Sequence, residues 1–150
     1  MPRSSVVHLR CNYLENPVGT DDIRPLLSWQ LADTRAGACQ TAHRILAART
    51  QDQLQTKPDL WDSGRVSSSQ SLDIQYAGRK LKSRQRVWWQ VCIWDQERKM
   101  TQWSKPAFFE IGLLQQSDWR GQWIGQPIEK SATDRPCPFL RHNFALREDP

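Results

Sequence analysis

The segment Arg86–Asp95, RVWWQVCIWD, constrains this chain more than any other. In an extended strand successive side chains point to opposite faces, so Val87, Trp89, Val91 and Ile93 share one face. Trp88, Gln90, Cys92 and Trp94 share the other. A strand this apolar needs neighbours for its backbone N–H and C=O groups and a second layer to cover its inner face. The chain must therefore supply further strands.

It supplies several. Residues 26–31 (LLSWQL) put Leu27, Trp29 and Leu31 on one face, directly after Pro25, a residue suited to strand entry. Residues 41–48 (TAHRILAA) alternate His43, Ile45 and Ala47 against Arg44 and Leu46. Their Ala and Leu content also suits a helix, and the reading here is a strand followed by a loop or short helical turn over 49–55. Residues 60–66 (LWDSGRV) read as a short strand broken by the turn residues Asp62, Ser63 and Gly64. Leu72, Ile74 and Tyr76 alternate with Asp73 and Gln75 as a half-buried strand. A charged hairpin loop over 95–99 leads to a returning strand, Ala107–Ile111 (AFFEI), and residues 9–13 form an opening strand. About seven short strands predict an all-β fold, an immunoglobulin-like sandwich of the fibronectin type III kind, over residues 5–112.

After Gly112 the pattern changes. Residues 113–125 (LLQQSDWRGQWIG) lack alternation, and 126–138 are polar and proline-bearing, so 113–138 reads as a junction and linker. Residues 139–146 (FLRHNFAL) alternate again through Leu140, His142, Phe144 and Leu146. They read as one strand with no sequence left to pair with, so 139–150 is expected to be the start of an incomplete second β-domain.

Composition narrows the function classes. With 38% hydrophobic and 25% charged residues the chain is globular rather than disordered. No apolar run approaches the roughly 18–20 residues that span a bilayer, so no membrane partner is expected. The opening MPRSSVVHLRCNY has no apolar stretch of leader length, and the expected location is cytoplasmic. In that reducing setting Cys11, Cys39, Cys92 and Cys137 are expected to be free thiols. No CxxC pair occurs and His8, His43 and His142 do not cluster, so neither metal nor cofactor is expected. The net charge is +5. Its densest stretch, Arg79, Lys80, Lys82, Arg84 and Arg86, alternates with Leu81, Ser83 and Gln85 in a connection, which predicts a solvated loop and no nucleic-acid partner.

Taken in order, LRCNYLENPVG, RPLLSWQL, QTAHRILAA, LWDSGRVSSSQS, YAG, WSKPAFFEIGLL, DWRGQWIG and PFLRHNFAL resemble the N-terminal region of bacterial α-L-rhamnosidases. The resemblance covers nearly the whole chain. It implies a non-catalytic N-terminal structural module of an inverting glycoside hydrolase, whose partners are the downstream domains of the same polypeptide. It places the catalytic carboxylate pair on a downstream (α/α) barrel, so no catalytic residue is carried over. Two departures stand out. Val87 takes the place where such sandwiches usually carry a corner tyrosine near the start of the sixth strand, so that hydrogen bond is not expected. His43 stands where the third strand commonly has tyrosine. The alternatives are a carbohydrate-binding module that uses outward tryptophans and a fibronectin-type protein-interaction module.

Asp62 and Ser63 beside Gly64 suggest turn chemistry rather than an activated serine, because no histidine lies near. The acidic pairs Asp21 and Asp22, Asp59 and Asp62, and Asp95 and Glu97 all fall at loops, where solvated charge is ordinary. His43 lies on the apolar face of its strand and reads as a core histidine. Trp29 and Trp89 read as core. Trp88 and Trp94 face away from it, as candidates for domain contact, packing under a loop or sugar stacking. Trp119 and Trp123 are expected to lock one sandwich to the next.

Overall fold

The computed structural model describes residues 4–125 and 139–145. By its internal contacts the chain divides into two units, Met1–Trp119 and Arg120–Pro150. The first unit is an all-β sandwich. One sheet contains β1 (Ser4–Cys11), β3 (Leu26–Asp33) and β6 (Ile74–Gln75), in the order β1-β3-β6. The other contains β2 (Val18–Thr20), β4 (Gln40–Ala48), β5 (Trp61–Asp62), β7 (Arg86–Asp95) and β8 (Ala107–Ile111), in the order β2-β8-β7-β4-β5. Neighbours run antiparallel except β2, which lies parallel to β8.

The strand that dominates the sequence takes the centre of the larger sheet, between β8 and β4. Its inner residues Val87, Trp89, Val91 and Ile93 are fully buried, with Leu27 and Trp29 from the opposite sheet. Trp89 stands in register between Ala47 on β4 and Ala107 on β8. Two alanines leave the width that one indole fills, so large and small side chains interlock across three strands. The indole nitrogen of Trp89 has no hydrogen-bond partner among the described residues. That of Trp29 donates to Gln40 Oε1 at 2.9 Å. The Gln40 amide nitrogen in turn donates to the carbonyls of Ser68 at 3.0 Å and Gln70 at 2.8 Å, tying the serine-rich crossing to the core.

Ahead of β8 the chain runs beside β7, but two side-chain hydroxyls replace carbonyls in the ladder. Thr101 Oγ1 accepts from Ile93 N and Ser104 Oγ from Val91 N, both at 3.1 Å, while Thr101 N and Ser104 N donate to the Ile93 and Val91 carbonyls. This satisfies the buried strand where regular pairing is interrupted.

The structure corrects several expectations. The opening strand starts at Ser4, not residue 9; it is bulged between Val7 and Arg10, where His8 takes a left-handed φ of 51°. Asn12 and Tyr13 are left-handed as well and close a turn, so Tyr13 lies outside the strand. The strand expected over 72–76 contracts to Ile74–Gln75. Asp73 at φ 57° breaks the extended run, which leaves Leu72 60% exposed while Tyr76 still reaches the core. Residues 60–66 yield only Trp61–Asp62. The helical turn after β4 is formed as α1 (Gln51–Thr56), capped by the Thr50 side chain.

The outer face of β7 is also less open than its alternation suggests. Leu54 of α1 packs with Leu46, Ala48, Trp88 and Trp103 in a second small cluster, and Gln90 and Cys92 are buried. Residues 139–145 carry no strand, and Leu146 lies outside the described residues. An isolated strand leaves its own donors and acceptors unpaired, which is the physical reason.

Candidate functional site

The outward tryptophans were the sequence's candidates for contact. Trp88 is half-buried in the cluster under α1, and its ring lies 5.2 Å from that of Phe108, its register partner on β8. The Arg86 guanidinium sits over Phe108 at 4.7 Å and pairs with Glu110 at 2.9 Å. Trp94 carries the Arg65 guanidinium over its ring at 4.8 Å. These rings are engaged by their own fold. Trp119 and Trp123 are 57% and 94% exposed; Trp119 ends the first unit and Trp123 belongs to the second. Within the first unit Trp88 and Trp94 are thus covered by different neighbours, Phe108 and Arg65. The Arg86–Phe108–Trp88 stack went unread in the sequence, although pairing the outward positions of the two strands would have found it.

Asp22, Asp59, Asp62, Asp95 and Glu97 are each committed to the fold. Arg35, only 19% exposed, is the hub of one cluster: it pairs with Asp33 at 2.7 Å, Asp95 at 2.8 Å and Glu97 at 2.8 Å. It also donates to Ser4 Oγ at 2.9 Å, and Ser4 bonds Asp33. Hydrogen bonds from Arg35 hold the Asp33 and Asp95 carboxyls below the usual carboxylate range, and the Lys99 ammonium does the same for Glu97. Asp62 pairs with Arg44 at 2.6 Å, which lowers its pKa, and accepts from Gly64 N at 2.9 Å. Asp59 pairs with Arg49 at 3.3 Å. Asp22 accepts from Arg24 N at 2.8 Å.

Ser63 Oγ accepts from Ile45 N and donates to Gly64 O, both at 2.8 Å, so its hydroxyl serves the turn. His43 is buried edge-on against Trp29 at 5.2 Å, and burial lowers its pKa. It is a core histidine. Burial raises the Cys11 thiol to about 12 and the Cys92 thiol to about 11, which removes thiolate reactivity at neutral pH. Cys39 is exposed, and Cys137 lies outside the described residues. Among the described residues no group of three His, Cys, Asp or Glu could hold a metal ion, and no helix is long and apolar enough to cross a membrane.

The corner tyrosine absent at Val87 has a counterpart in the crossing that precedes β7. Tyr76 is buried, its hydroxyl donates to Arg79 O at 3.1 Å, and its ring meets Trp61 and Phe109 edge-on. The basic residues that follow disperse. Arg79 and Lys80 line a cleft of about 400 Å³ with Arg24, while Lys80 and Lys82 border another of about 490 Å³ beside Leu114 and Asp118. Arg84 reaches Asp118 O, and Arg86 pairs with Glu110. A third cleft, about 560 Å³, runs between β1 and residues 102–107.

Comparison with known proteins agrees with this architecture. Residues 6–115 match the family described as Rha78A-like, N-terminal immunoglobulin domain. An α-L-rhamnosidase of Formosa agariphila is 42% identical over 143 residues, which is 90% of this chain and 15% of that protein. One from Streptomyces avermitilis is 39% identical over 115 residues, 77% of this chain and 11% of its own length. The crystal structure of a Streptomyces avermitilis α-L-rhamnosidase complexed with L-rhamnose superposes with a TM-score of 0.79 at 37% identity, covering 83% of this chain and 12% of that one. The Dictyoglumus thermophilum α-L-rhamnosidase gives 0.76 at 30% identity, with 82% and 14% covered. The chain spans about an eighth of the length of the relatives it matches.

Proposed function

Because the chain belongs to the family of Rha78A-like N-terminal immunoglobulin domains, we propose that it is a non-catalytic structural module of an inverting α-L-rhamnosidase, positioning or stabilising the domains that follow it. The observation that carries this reading is the fate of the carboxylates. Inverting hydrolysis needs an acid and a base about 6.5–9.5 Å apart with a water between them. Here Asp33, Asp95 and Glu97 are gathered on one guanidinium, Asp62 on another and Asp59 on a third. Neighbouring cations hold Asp33, Asp95, Glu97 and Asp62 ionised, which suits anchoring rather than proton transfer. The covered rings of Trp88 and Trp94 weigh against the sugar-stacking alternative. The reading places the module in a reducing compartment such as the cytoplasm, where buried thiols like those of Cys11 and Cys92 persist.

Purified chain incubated with a chromogenic α-L-rhamnoside tests the non-catalytic part. No turnover above buffer is expected. Turnover that survives repurification and disappears on replacing one of these carboxylates overturns it.

A further inference from the structure

Past Ile111 no strand occurs among the described residues, yet the polypeptide stays bound to the sandwich as far as Trp119. Gly112 N donates to Thr20 O at 2.8 Å, and Arg84 N donates to Gly112 O at 3.0 Å. A β-carbon at Gly112 would meet the Gly19 carbonyl oxygen at 2.9 Å, so the close approach needs glycine. Beyond this point side chains take over. Ser83 Oγ accepts from Leu114 N at 3.0 Å and donates to the Asp118 carboxylate. The same carboxylate oxygen accepts from Gln115 N at 3.0 Å. The Arg84 guanidinium donates to Asp118 O at 3.0 Å. Asp118 N and Trp119 N close the short turn onto Gln115 O and Gln116 O. Leu114 packs against the main core beneath these bonds.

We propose that Ser83, Arg84 and Asp118 form an outlet clamp that fixes the direction in which the polypeptide leaves the sandwich. These three are positioning residues for whatever follows the module, so the inference rests on the reading of the chain as a module. The geometry has two properties that a plain linker lacks. It joins loops more than thirty residues apart in sequence, Ser83 lying 35 positions and Arg84 34 positions before Asp118. It also uses a carboxylate with hydroxyl and amide donors, a charge-assisted arrangement that holds its geometry better than neutral pairs. None of the three belongs to the buried core. Loosening the clamp should therefore free the outlet without unfolding the sandwich.

The test is a distance distribution by pulsed electron spin resonance. Cys39→Ser and Cys137→Ser leave Cys11 and Cys92 as the native thiols, and these two are buried and stay unlabelled. Spin labels go on Lys105→Cys and, in the clamped turn, Gln116→Cys, both exposed positions. The background chain is expected to give a narrow distribution. Adding Ser83→Ala with Asp118→Ala should widen it roughly twofold, toward flexible-linker behaviour, with a thermal midpoint shifted by no more than about 4 °C. If that pair fails to fold, Arg84→Met alone should give a smaller widening with the midpoint kept. A broad distribution in the unaltered clamp, or equal widths in folded variants, overturns the proposal and leaves the module reading standing. Rhamnosidase turnover by the chain would instead overturn the module reading and leave the clamp result intact.

Discussion

The two tryptophans at the heart of the sandwich should respond differently to the same substitution. Trp29 and Trp89 are both fully buried in one core. Replacing either by phenylalanine shrinks the ring, and lost burial plus the residual cavity should cost about 1–2 kcal/mol at both sites. The indole nitrogens set them apart. At Trp29 the change strips Gln40 Oε1 of its donor at 2.9 Å, leaving a buried acceptor unpaired and adding about 1–3 kcal/mol. At Trp89 the nitrogen has no partner among the described residues, so its removal returns a similar amount. Trp29→Phe should therefore lose about 2–5 kcal/mol, while Trp89→Phe should fall between about 1 kcal/mol lost and about 2 kcal/mol gained. Urea titration followed by far-UV circular dichroism measures both without relying on tryptophan emission, and unchanged m-values show that the unfolding reaction is the same. Equal losses, or a larger loss for Trp89→Phe, would refute the reasoning. They would mean that ring packing outweighs polar pairing here, or that a buried water serves the Trp89 nitrogen.

Two further outcomes follow from the packing and the charge clusters. Trp89→Ala should cost about 3–5 kcal/mol, as expected for a large buried aromatic, and Trp88→Ala clearly less because its ring is half-buried in the minor cluster; urea titration giving the reverse order would show that the outer cluster, not the inter-sheet core, dominates stability. The Arg35 cluster should make stability acid-sensitive. Its carboxyls have folded pKa values below their unfolded ones, so their contribution is present above about pH 4 and is lost as pH falls through the folded values. Arg35→Met should lower the thermal midpoint at pH 7 and flatten its decline toward about pH 2.5; parallel declines in the two proteins would mean that other carboxylates set the acid limb.

Much of the fold was legible because its information is local and periodic. The strand over 86–95 announces both its faces in ten consecutive residues, and residues 40–48 and 107–111 supply neighbours of matching width, down to the two alanines that flank Trp89. What stayed hidden depends on backbone handedness or on distant loops. The left-handed conformations at His8 and Asp73 interrupt alternations that looked unbroken in sequence. The Arg35 cluster joins residues some sixty positions apart, and the Gln40 amide reaches carbonyls in a loop 28 and 30 positions away. No periodicity encodes such meetings. The contact candidates fared in proportion. That Trp88 and Trp94 face away from the inner core followed from strand parity, but the cover supplied by α1, Phe108 and Arg65 required the tertiary fold.

The proposed role of this sandwich is to support a rhamnosidase without taking part in its chemistry. A chimaera tests that most directly. In the Streptomyces avermitilis α-L-rhamnosidase, whose structure superposes on this chain with a TM-score of 0.79, the matching domain is exchanged for residues 4–119 or deleted. Turnover of a chromogenic α-L-rhamnoside is then measured per folded molecule, alongside thermal inactivation. The chimaera is expected to keep kcat within about threefold of the parent, a difference below about 1 kcal/mol in barrier. The deletion is expected to shorten the lifetime at elevated temperature while the surviving folded enzyme turns over normally. A deletion that abolishes kcat in a protein of undiminished stability would contradict the claim.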